Sequence, residues 1–180
     1  MALKSTIFKA DLQITDMDRN YYQGHALTIA QHPSETDERM MVRMLAFALF
    51  ARDGLSFGKG LSSDDEPDLW QKDLTGAIEL WIDVGLPDER EIRKACGRSR
   101  QVVVVNYGRT AELWWNQNRS ALARLSNLTV IRLPVEGSEA LAALASRSMQ
   151  LQCTIQDGEV WLSVENGSVQ IEPLTCQTPA

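Results

Sequence analysis

Two apolar runs separated by one helix-length segment constrain the fold of this chain more than any other feature of its sequence. Residues 78–84 (IELWIDV) are almost continuously apolar, and residues 102–105 read VVVV. Such runs are typical of strands covered on both faces. The segment between them predicts a helix from Pro87 to Gly97, because proline suits the first helical position and glycine the C-terminal stop. This strand, helix, strand order predicts parallel pairing in a covered sheet.

Further helices and strands are predicted on both sides of this unit. Downstream, the pattern predicts a helix over residues 110–125, a strand over 128–133 and a helix over 136–147. Upstream, the clearest helix begins after Ser34, which is followed three residues later by Asp37 in a capping-type pattern. Together these elements predict an α/β (α+β) fold in which helices flank a mixed sheet.

The two ends of the sequence predict additional β structure. Residues 4–14 alternate apolar and polar side chains, and residues 21–30 follow a polar turn, which predicts a hairpin. Near the other end, Asp157-Gly158 and Asn166-Gly167 predict two type I′ turns of an antiparallel meander. We expect the hairpin and the meander to form one antiparallel β subregion beside the core, and the tail after Pro173 to be loose.

Length and composition predict one globular domain. The chain has 180 residues, of which 44% are hydrophobic and 23% charged, close to average globular usage. We expect a core over residues 34–106, with the β extensions over residues 1–31 and 148–172. The longest apolar run is far short of the roughly 20 residues that span a bilayer, and the first residues lack a signal-peptide pattern. A cytoplasmic protein is therefore expected.

Several kinds of site are poorly supported by the side chains available. Cys96, Cys153 and Cys176 are widely spaced without a CxxC pair, which argues against a disulfide framework or a structural zinc site. With His25 and His32 as the only histidines, His-rich metal sites and Ser-His-Asp triads are poorly supplied. A metal would have to be a hard cation on oxygen ligands. The net charge of -6 opposes broad attraction to nucleic acid, so such binding would need a local basic face.

Two aspartates at the ends of neighbouring predicted strands form the candidate site. Asp68 follows Pro67 at the entrance to a short strand predicted over residues 68–74, and Asp83 lies near the carboxyl end of the strand over 78–84. A charge in such a place must reach water, a partner or a metal ion. Two carboxylates and a nearby lysine suit metal-assisted phosphodiester chemistry. An ordinary acidic turn beside a solvated helix would have the same composition.

Glu38 is a third acidic candidate. At about 100° per residue it projects within about 40° of Val42, Leu45 and Leu49, which form the core-facing stripe of the first predicted helix. This direction indicates a residue at the inner mouth of the helix, where it could contribute to a site. The alternative is that Glu38 complements the helix dipole from an exposed first turn.

The predicted order of elements resembles a known nuclease core. Residues 34–106 give helix, strand, strand, strand, helix, strand, which resembles the αβββαβ core of the PD-(D/E)XK nuclease superfamily. In that superfamily a carboxylate on the second strand meets a carboxylate and a lysine on the third. Pro67-Asp68 matches the PD element, and Asp83-Val84-Gly85 matches the D/E-X-K element with glycine in place of lysine. The superfamily can displace this lysine, which makes Lys94, or alternatively Lys59, the substitute.

Four longer stretches resemble one family more closely. They are HPSETDERMMVRMLAFAL, DDEPDLW, LWIDVGLPDEREIRKAC and LQCTIQDGEVWLS, and they are similar to the bacterial YaeQ proteins over nearly the whole chain. Members of this family are small, cytoplasmic and similar in fold to PD-(D/E)XK nucleases with an altered motif. No settled activity comes with the family, so the resemblance implies the fold more firmly than the function.

The resemblance implies a metal site with a cationic neighbour. Glu38, Asp68 and Asp83 would bind one or two Mg²⁺ (or Mn²⁺) ions, which accept carboxylate ligands and keep several waters. Lys94, or alternatively Lys59, would stabilise the charge that develops on a reacting phosphate.

Basic residues of the helix after Pro87 are the candidate contacts to nucleic acid. Arg90, Arg93 and Arg98 belong to the densest basic cluster in an acidic chain, where glutamates are interleaved with them. A solvated amphipathic helix is the alternative interpretation of the same cluster.

Two functional hypotheses follow. The first is a metal-dependent phosphodiesterase or nuclease that acts on nucleic acid. The second is a nuclease-like scaffold that has lost catalysis and binds nucleic acid or a protein partner as a regulatory factor, for example in transcription. Gly85 at the lysine position favours the second hypothesis.

Overall fold

Four helices and eleven strands make up the part of the chain that the structure, a computed structural model, describes, namely residues 4–59 and 65–180. The helices are α1 (Asp37–Phe50), α2 (Glu89–Arg98), α3 (Ala111–Leu122) and α4 (Val135–Ala142). The strands are β1 (Thr6–Asp16), β2 (Tyr21–Gln31), β3 (Ser56–Phe57), β4 (Leu69–Lys72), β5 (Ile78–Val84), β6 (Ser99–Asn106), β7 (Leu128–Arg132), β8 (Ser148–Gln156), β9 (Glu159–Val164), β10 (Gly167–Ile171) and β11 (Leu174–Gln177).

The central sheet has six strands in the order β11-β7-β6-β5-β4-β3. Strands β5, β6 and β7 run parallel, as their apolar sequences predict, and β4 pairs antiparallel with β5. Helices α2 and α3 cover one face, where Ile92, Ala95 and Leu122 pack with residues of these strands. On the other face α1 is buried from Met40 to Ala48. The predicted mixed α+β class is therefore confirmed.

The terminal sheet has five strands in the order β10-β9-β8-β1-β2. Its inward side chains, which include Phe8, Leu12 and Ile14, are buried in the cluster that also contains α1. The hairpin of β1 and β2 is confirmed. However, β1 and β8 pair in parallel, so the expectation of an entirely antiparallel subregion was wrong. The long chain between these two strands allows either direction, whereas a short hairpin loop allows only one.

One of the two predicted hairpin turns has the expected geometry. Asp157 and Gly158 have φ angles of 52° and 77°, which confirms the type I′ prediction because that turn needs positive φ at both positions. The second hairpin, between β9 and β10, is also formed, but its type I′ prediction was wrong, since neither Asn166 nor Gly167 is among the described residues with positive φ. Gly167 instead begins β10, where an added Cβ would lie 3.2 Å from Leu144 Cδ2. A close approach, not a turn, accounts for this glycine.

The tail after Pro173 is ordered, which corrects the expectation of a loose end. Strand β11 pairs antiparallel with β7, with Leu174 opposite Arg132 and Thr175 opposite Ile131. The Gln177 side chain also donates to the Leu122 carbonyl oxygen at 2.9 Å. The tail thereby pairs the β7 edge of the central sheet, whose backbone groups would otherwise lack partners.

Helix α1 begins two residues later than the capping pattern predicts. Thr36 is the N-cap, and its Oγ1 accepts a hydrogen bond from the Arg39 amide at 3.1 Å, so the prediction of a cap at Ser34 was wrong. Ser34 instead contacts His32 Nδ1 at 2.6 Å. This shift places Glu35 just before the helix. Within the described ranges, every helix is too short or too polar to cross a membrane.

Candidate functional site

The pairing of β4 with β5 brings Asp68 and Asp83 together. Leu69 lies opposite Ile82, so the aspartates that flank this pair come side by side at one end of the two strands. Both line a cleft of about 640 Å³, which we call the strand-end cleft. Its charged and polar lining also includes Arg39, Glu66, Trp81, Glu91, Lys94, Arg98 and Tyr107. The central geometric expectation from the sequence, two aspartates at one sheet rim, agrees with this arrangement.

Asp68 is buried and held by donors at both oxygens. Oδ1 accepts from Arg39 Nη2 at 2.8 Å, and Oδ2 accepts from the Val84 amide at 2.7 Å. The side chain is only 7% exposed. Charge-assisted hydrogen bonds of this kind are short and strong, and they fix the orientation of the carboxylate.

Arg39 belongs to a buried chain of alternating charges. Its Nη1 donates to Glu35 Oε2 at 2.6 Å, while Arg43 donates to the same carboxylate through Nε at 2.9 Å and Nη2 at 2.5 Å. Arg43 is 1% exposed and also donates to the Ala30 carbonyl oxygen. Sequence reasoning missed this network. The spacing of residues 35, 39 and 43 by four positions is the signal that could have indicated it.

Asp83 is a cleft carboxyl group with a strongly raised pKa. Burial raises the pKa of its carboxyl from 3.8 to about 6, the indole N–H of Trp81 opposes this rise, and the charge of Asp68 adds to it. Trp81 Nε1 donates to Asp83 Oδ2 at 2.9 Å. Since like charges nearby disfavour ionisation, a cation placed between the two aspartates would restore the charged form of Asp83.

Gly85 provides no side chain at the position where the nuclease motif has lysine. It has a φ of 110°, a region that favours glycine. Its amide donates to the Val105 carbonyl oxygen at 2.9 Å, and its carbonyl oxygen accepts from Asn106 Nδ2 at 2.8 Å. Among the described residues, none has an atom within 4 Å of the place that a Cβ would take. The chain therefore turns at Gly85 with open space in front of it.

Helix α2 supplies two cations of the cleft in addition to Arg39. Lys94 and Arg98 are exposed residues of α2 that line the cleft together with the aspartates. The Arg98 guanidinium also lies 5.4 Å from the centre of the Trp81 ring. Asp88 caps the start of this helix by accepting from the Arg90 amide at 2.8 Å. Of the two candidate lysines, Lys94 thus lies in the cleft.

Other residues predicted for the site lie elsewhere. Glu38 Oε1 accepts from Ser138 Oγ of α4 at 3.0 Å, outside the cleft lining. Lys59 is 76% exposed, and its Nζ lies 3.9 Å from Glu66 Oε1. On α2, Arg93 pairs with Glu89 at the surface and Arg90 lines a neighbouring groove, so neither joins Arg98 in the cleft.

The cleft suits a metal ion bound by two carboxylates more than one enclosed by protein ligands. Within the described residues, no group of three or more His, Cys, Asp or Glu side chains is arranged to hold a metal. Mg²⁺, however, commonly uses one or two carboxylates and completes its shell with water and substrate phosphate. Asp68 and Asp83 would be the two carboxylates of such a site, and the hydrogen bond of Asp68 with Arg39 would have to break for a metal ion to bind there.

Two mixed sheets around α1, with a cleft of paired aspartates at the strand ends, define the class of protein: a mixed α+β protein with an acidic site on its central sheet. A family model described as YaeQ protein matches residues 1–173. The chain belongs to the YaeQ family.

Curated relatives match the full length of the chain, and solved structures match nearly all of it. The uncharacterized protein YaeQ of Escherichia coli (strain K12) is 45% identical over 181 residues and covers 100% of both chains, and its counterpart from Salmonella typhi matches equally. The crystal structure of the YaeQ protein from Xanthomonas axonopodis pv. citri has a TM-score of 0.95 at 57% identity, covering 97% of this chain and 99% of that one. The YaeQ protein from Pseudomonas syringae has a TM-score of 0.92 at 35% identity, covering 96% of each chain.

Proposed function

We propose that this protein binds a divalent cation, Mg²⁺ or Mn²⁺, between Asp68 and Asp83 and acts as a metal-dependent phosphodiesterase on nucleic acid. The observation that carries the proposal is the convergence of Asp68, Asp83 and Lys94 on one cleft at the end of β5. Two carboxylates would supply the protein ligands of the ion, and the lysine is available to a phosphate.

The order of secondary structure supports the same proposal. Helix α1, strands β3, β4 and β5, helix α2 and strand β6 follow one another as in the core of the PD-(D/E)XK superfamily. Asp68 precedes β4 and Asp83 lies in β5, the places of the two motif acids. Gly85 stands where the motif has a lysine, and Lys94 on α2 takes the role of that lysine.

The bound metal ion, Lys94 and Arg98 have separate tasks in this chemistry. A bound divalent ion would polarise the scissile phosphate and lower the pKa of an attacking water. Lys94 donates to the non-bridging phosphate oxygens as negative charge develops on them. Arg98 contacts the backbone of the nucleic acid next to the reacting group. Glu38 and Lys59 are left out of the reacting set because they lie outside the cleft lining.

Metal binding and cleavage test the proposal together. Isothermal titration with Mn²⁺ should show binding by the wild-type chain and a loss in Asp68→Asn and Asp83→Asn. Cleavage of DNA and RNA should need the metal and fall at least about a hundredfold in both variants and in Lys94→Gln, because each loses a ligand or the charge stabiliser. Asp11→Asn is the matched control, since Asp11 is an exposed aspartate of the terminal sheet that accepts from Gln150. Cleavage that is unchanged in both aspartate variants removes these acids from the mechanism.

A second function is favoured by specific features of the same cleft. Gly85 stands at the lysine position and Arg39 already neutralises Asp68, as in a scaffold that binds nucleic acid or a protein partner without cleaving it. Three results together would establish this alternative. The wild-type protein would bind labelled DNA or RNA but give no heat with Mn²⁺, and the Arg98→Gln variant would no longer bind the nucleic acid.

A further inference from the structure

Arg39 is in contact with Asp68, one of the two carboxylates proposed to bind the metal ion. Its Nη2 lies 2.8 Å from Asp68 Oδ1 and 3.4 Å from the Val84 carbonyl oxygen. The other oxygen, Oδ2, is engaged by the Val84 amide at 2.7 Å. A divalent cation bound to the same carboxylate would lie close to the guanidinium, and the repulsion between the two positive charges would weaken metal binding while Arg39 stays in place.

Arg39 has a second anchor that does not depend on Asp68. Its Nη1 donates to Glu35 Oε2 at 2.6 Å, and Glu35 is held in turn by Arg43. Loss of the Asp68 contact would therefore leave the side chain attached at its other end. Because Arg39 lines the strand-end cleft, a released Nη2 would remain beside the site, within reach of an incoming anion.

We infer that Arg39 is an internal counter-cation that a divalent metal must displace from Asp68. Arg39 therefore lowers the metal affinity of the site. When a metal ion binds, the displaced guanidinium becomes available as a hydrogen-bond donor to a phosphate. This inference rests on the proposed function. In the metal-free protein Arg39 neutralises Asp68, and in the metal-bound protein its Nη2 turns to the phosphate. Metal and phosphate binding are thereby coupled through one side chain.

A purely structural ion pair makes a different prediction. If Arg39 only stabilised the fold, its removal would lower the melting temperature and leave the metal affinity unchanged or weaker. If it competes with the metal, its removal raises the metal affinity, since the hydrogen bond that the metal must break is no longer there. Metal affinity therefore separates the two roles where stability alone does not.

The test is isothermal titration with Mn²⁺ of the wild-type chain, Arg39→Gln and Arg109→Gln. Arg39→Gln should bind Mn²⁺ about tenfold more tightly, the size expected for the loss of one charge-assisted hydrogen bond. Arg109→Gln is matched in net charge, since it also removes an arginine that pairs with a glutamate, Glu139, but at the surface. Its affinity should equal that of the wild type.

The outcomes separate this inference from the proposed function. Equal Mn²⁺ affinities in the wild type and Arg39→Gln overturn the inference and leave the proposed function in place. Binding by Arg39→Gln alone supports the inference in its strongest form, a site that Arg39 closes. No binding by either protein overturns the proposed function and the inference with it. Should Arg39→Gln fail to fold by circular dichroism, Arg39→Met replaces it, because methionine keeps an apolar stem of similar length and also removes the charge that faces Asp68. Affinity no higher than that of the wild type then overturns the inference.

Discussion

The terminal sheet and the central sheet place their polar side chains in different surroundings. On β1 every second side chain is buried, and polar residues such as Lys9, Asp11 and Gln13 alternate with them on an exposed face. Asp68 and Asp83 of the central sheet instead lie where a strand begins or ends, and each is bonded to named donors within the protein. Water can satisfy the polar side chains on the exposed face of the first sheet, whereas the aspartates at the strand ends of the second sheet need partners within the protein.

This difference indicates where function should be sought. Groups with perturbed ionisation cluster at functional sites, and the aspartate with a markedly raised pKa, Asp83, belongs to the central sheet. Its neighbour Asp68 is the end of the charged network through Arg39, Glu35 and Arg43. Substitutions on the solvated face of the terminal sheet should therefore have smaller effects than substitutions in the strand-end cleft and the charged network behind it.

The largest expected effect is on stability, from Arg43→Ala. This change leaves Glu35 buried with half of its cationic partners, and removal of one partner from a buried ion pair costs about 3 kcal/mol or more. Urea unfolding measures the loss. The matched change in the terminal sheet is Lys9→Ala, on an exposed position, which should shift the free energy of unfolding by less than about 0.5 kcal/mol. Similar losses in both variants would contradict the comparison.

Asp83→Asn should stabilise the protein at pH 8 but not at pH 4. The folded pKa of about 6 lies above the ordinary 3.8, so the stability that Asp83 contributes is fully present below pH 4 and is lost as pH rises through 6. Asparagine does not titrate and keeps an acceptor for Trp81. The gain at pH 8 should be about 2 kcal/mol, a reduced value because solvent reaches part of this side chain. Thermal unfolding at both pH values measures it, and a gain independent of pH would disprove the assignment.

Trp81→Phe should have a smaller effect in the opposite direction. Loss of the indole donor leaves the Asp83 carboxylate without its 2.9 Å hydrogen bond, which costs about 1 kcal/mol at pH 8. The pKa of Asp83 should rise above its value in the wild type, because the removed hydrogen bond favoured the charged form. Carboxyl-carbon NMR titration of both proteins follows this pKa directly. A pKa in the variant no higher than in the wild type would show that the indole does not stabilise the carboxylate.

The smallest effect is expected on the outer face of the terminal sheet. Gln152→Thr replaces an exposed polar residue of β8 by a good strand former, and the free energy of unfolding should change by less than about 0.5 kcal/mol. Chemical denaturation is sufficient to measure this. If the free energy of unfolding fell by several times that amount, the Gln152 side chain would have a stabilising partner within the protein and would not be a solvated residue.

Local patterns predicted the elements that build the cleft. The apolar run at residues 78–84 coincides with β5, and the helix expected from Pro87 to Gly97 is α2, although Asp88 and not Pro87 precedes its first residue and Gly97 lies inside it. The convergence of Asp68 and Asp83 was also expected, because adjacent strands with acids at their ends bring those acids to one rim. These predictions succeeded since each depends on a few neighbouring residues and on sheet geometry.

Pairings between distant segments could not be predicted in this way. Arg39 and Asp68 are 29 residues apart, and nothing in either segment specifies that they meet. On a helical wheel Glu38 projects towards the core, but the wheel cannot identify the element that packs against it. In the structure that element is α4, whose Ser138 donates to Glu38. The parallel pairing of β1 with β8 and the addition of β11 to β7 are contacts of the same long-range kind.

The parallel pairing of β1 with β8 also constrains the order of events during synthesis. Asp11 and Gln150 contact each other across this pair although 139 residues separate them along the chain. At about 5–20 residues per second, the first hairpin leaves the ribosome roughly ten seconds before its neighbour exists. During that interval Phe8, Leu12 and Ile14 have no sheet partner beside β1 on that side. Closure of the terminal sheet is therefore a late step that only a nearly finished chain can complete.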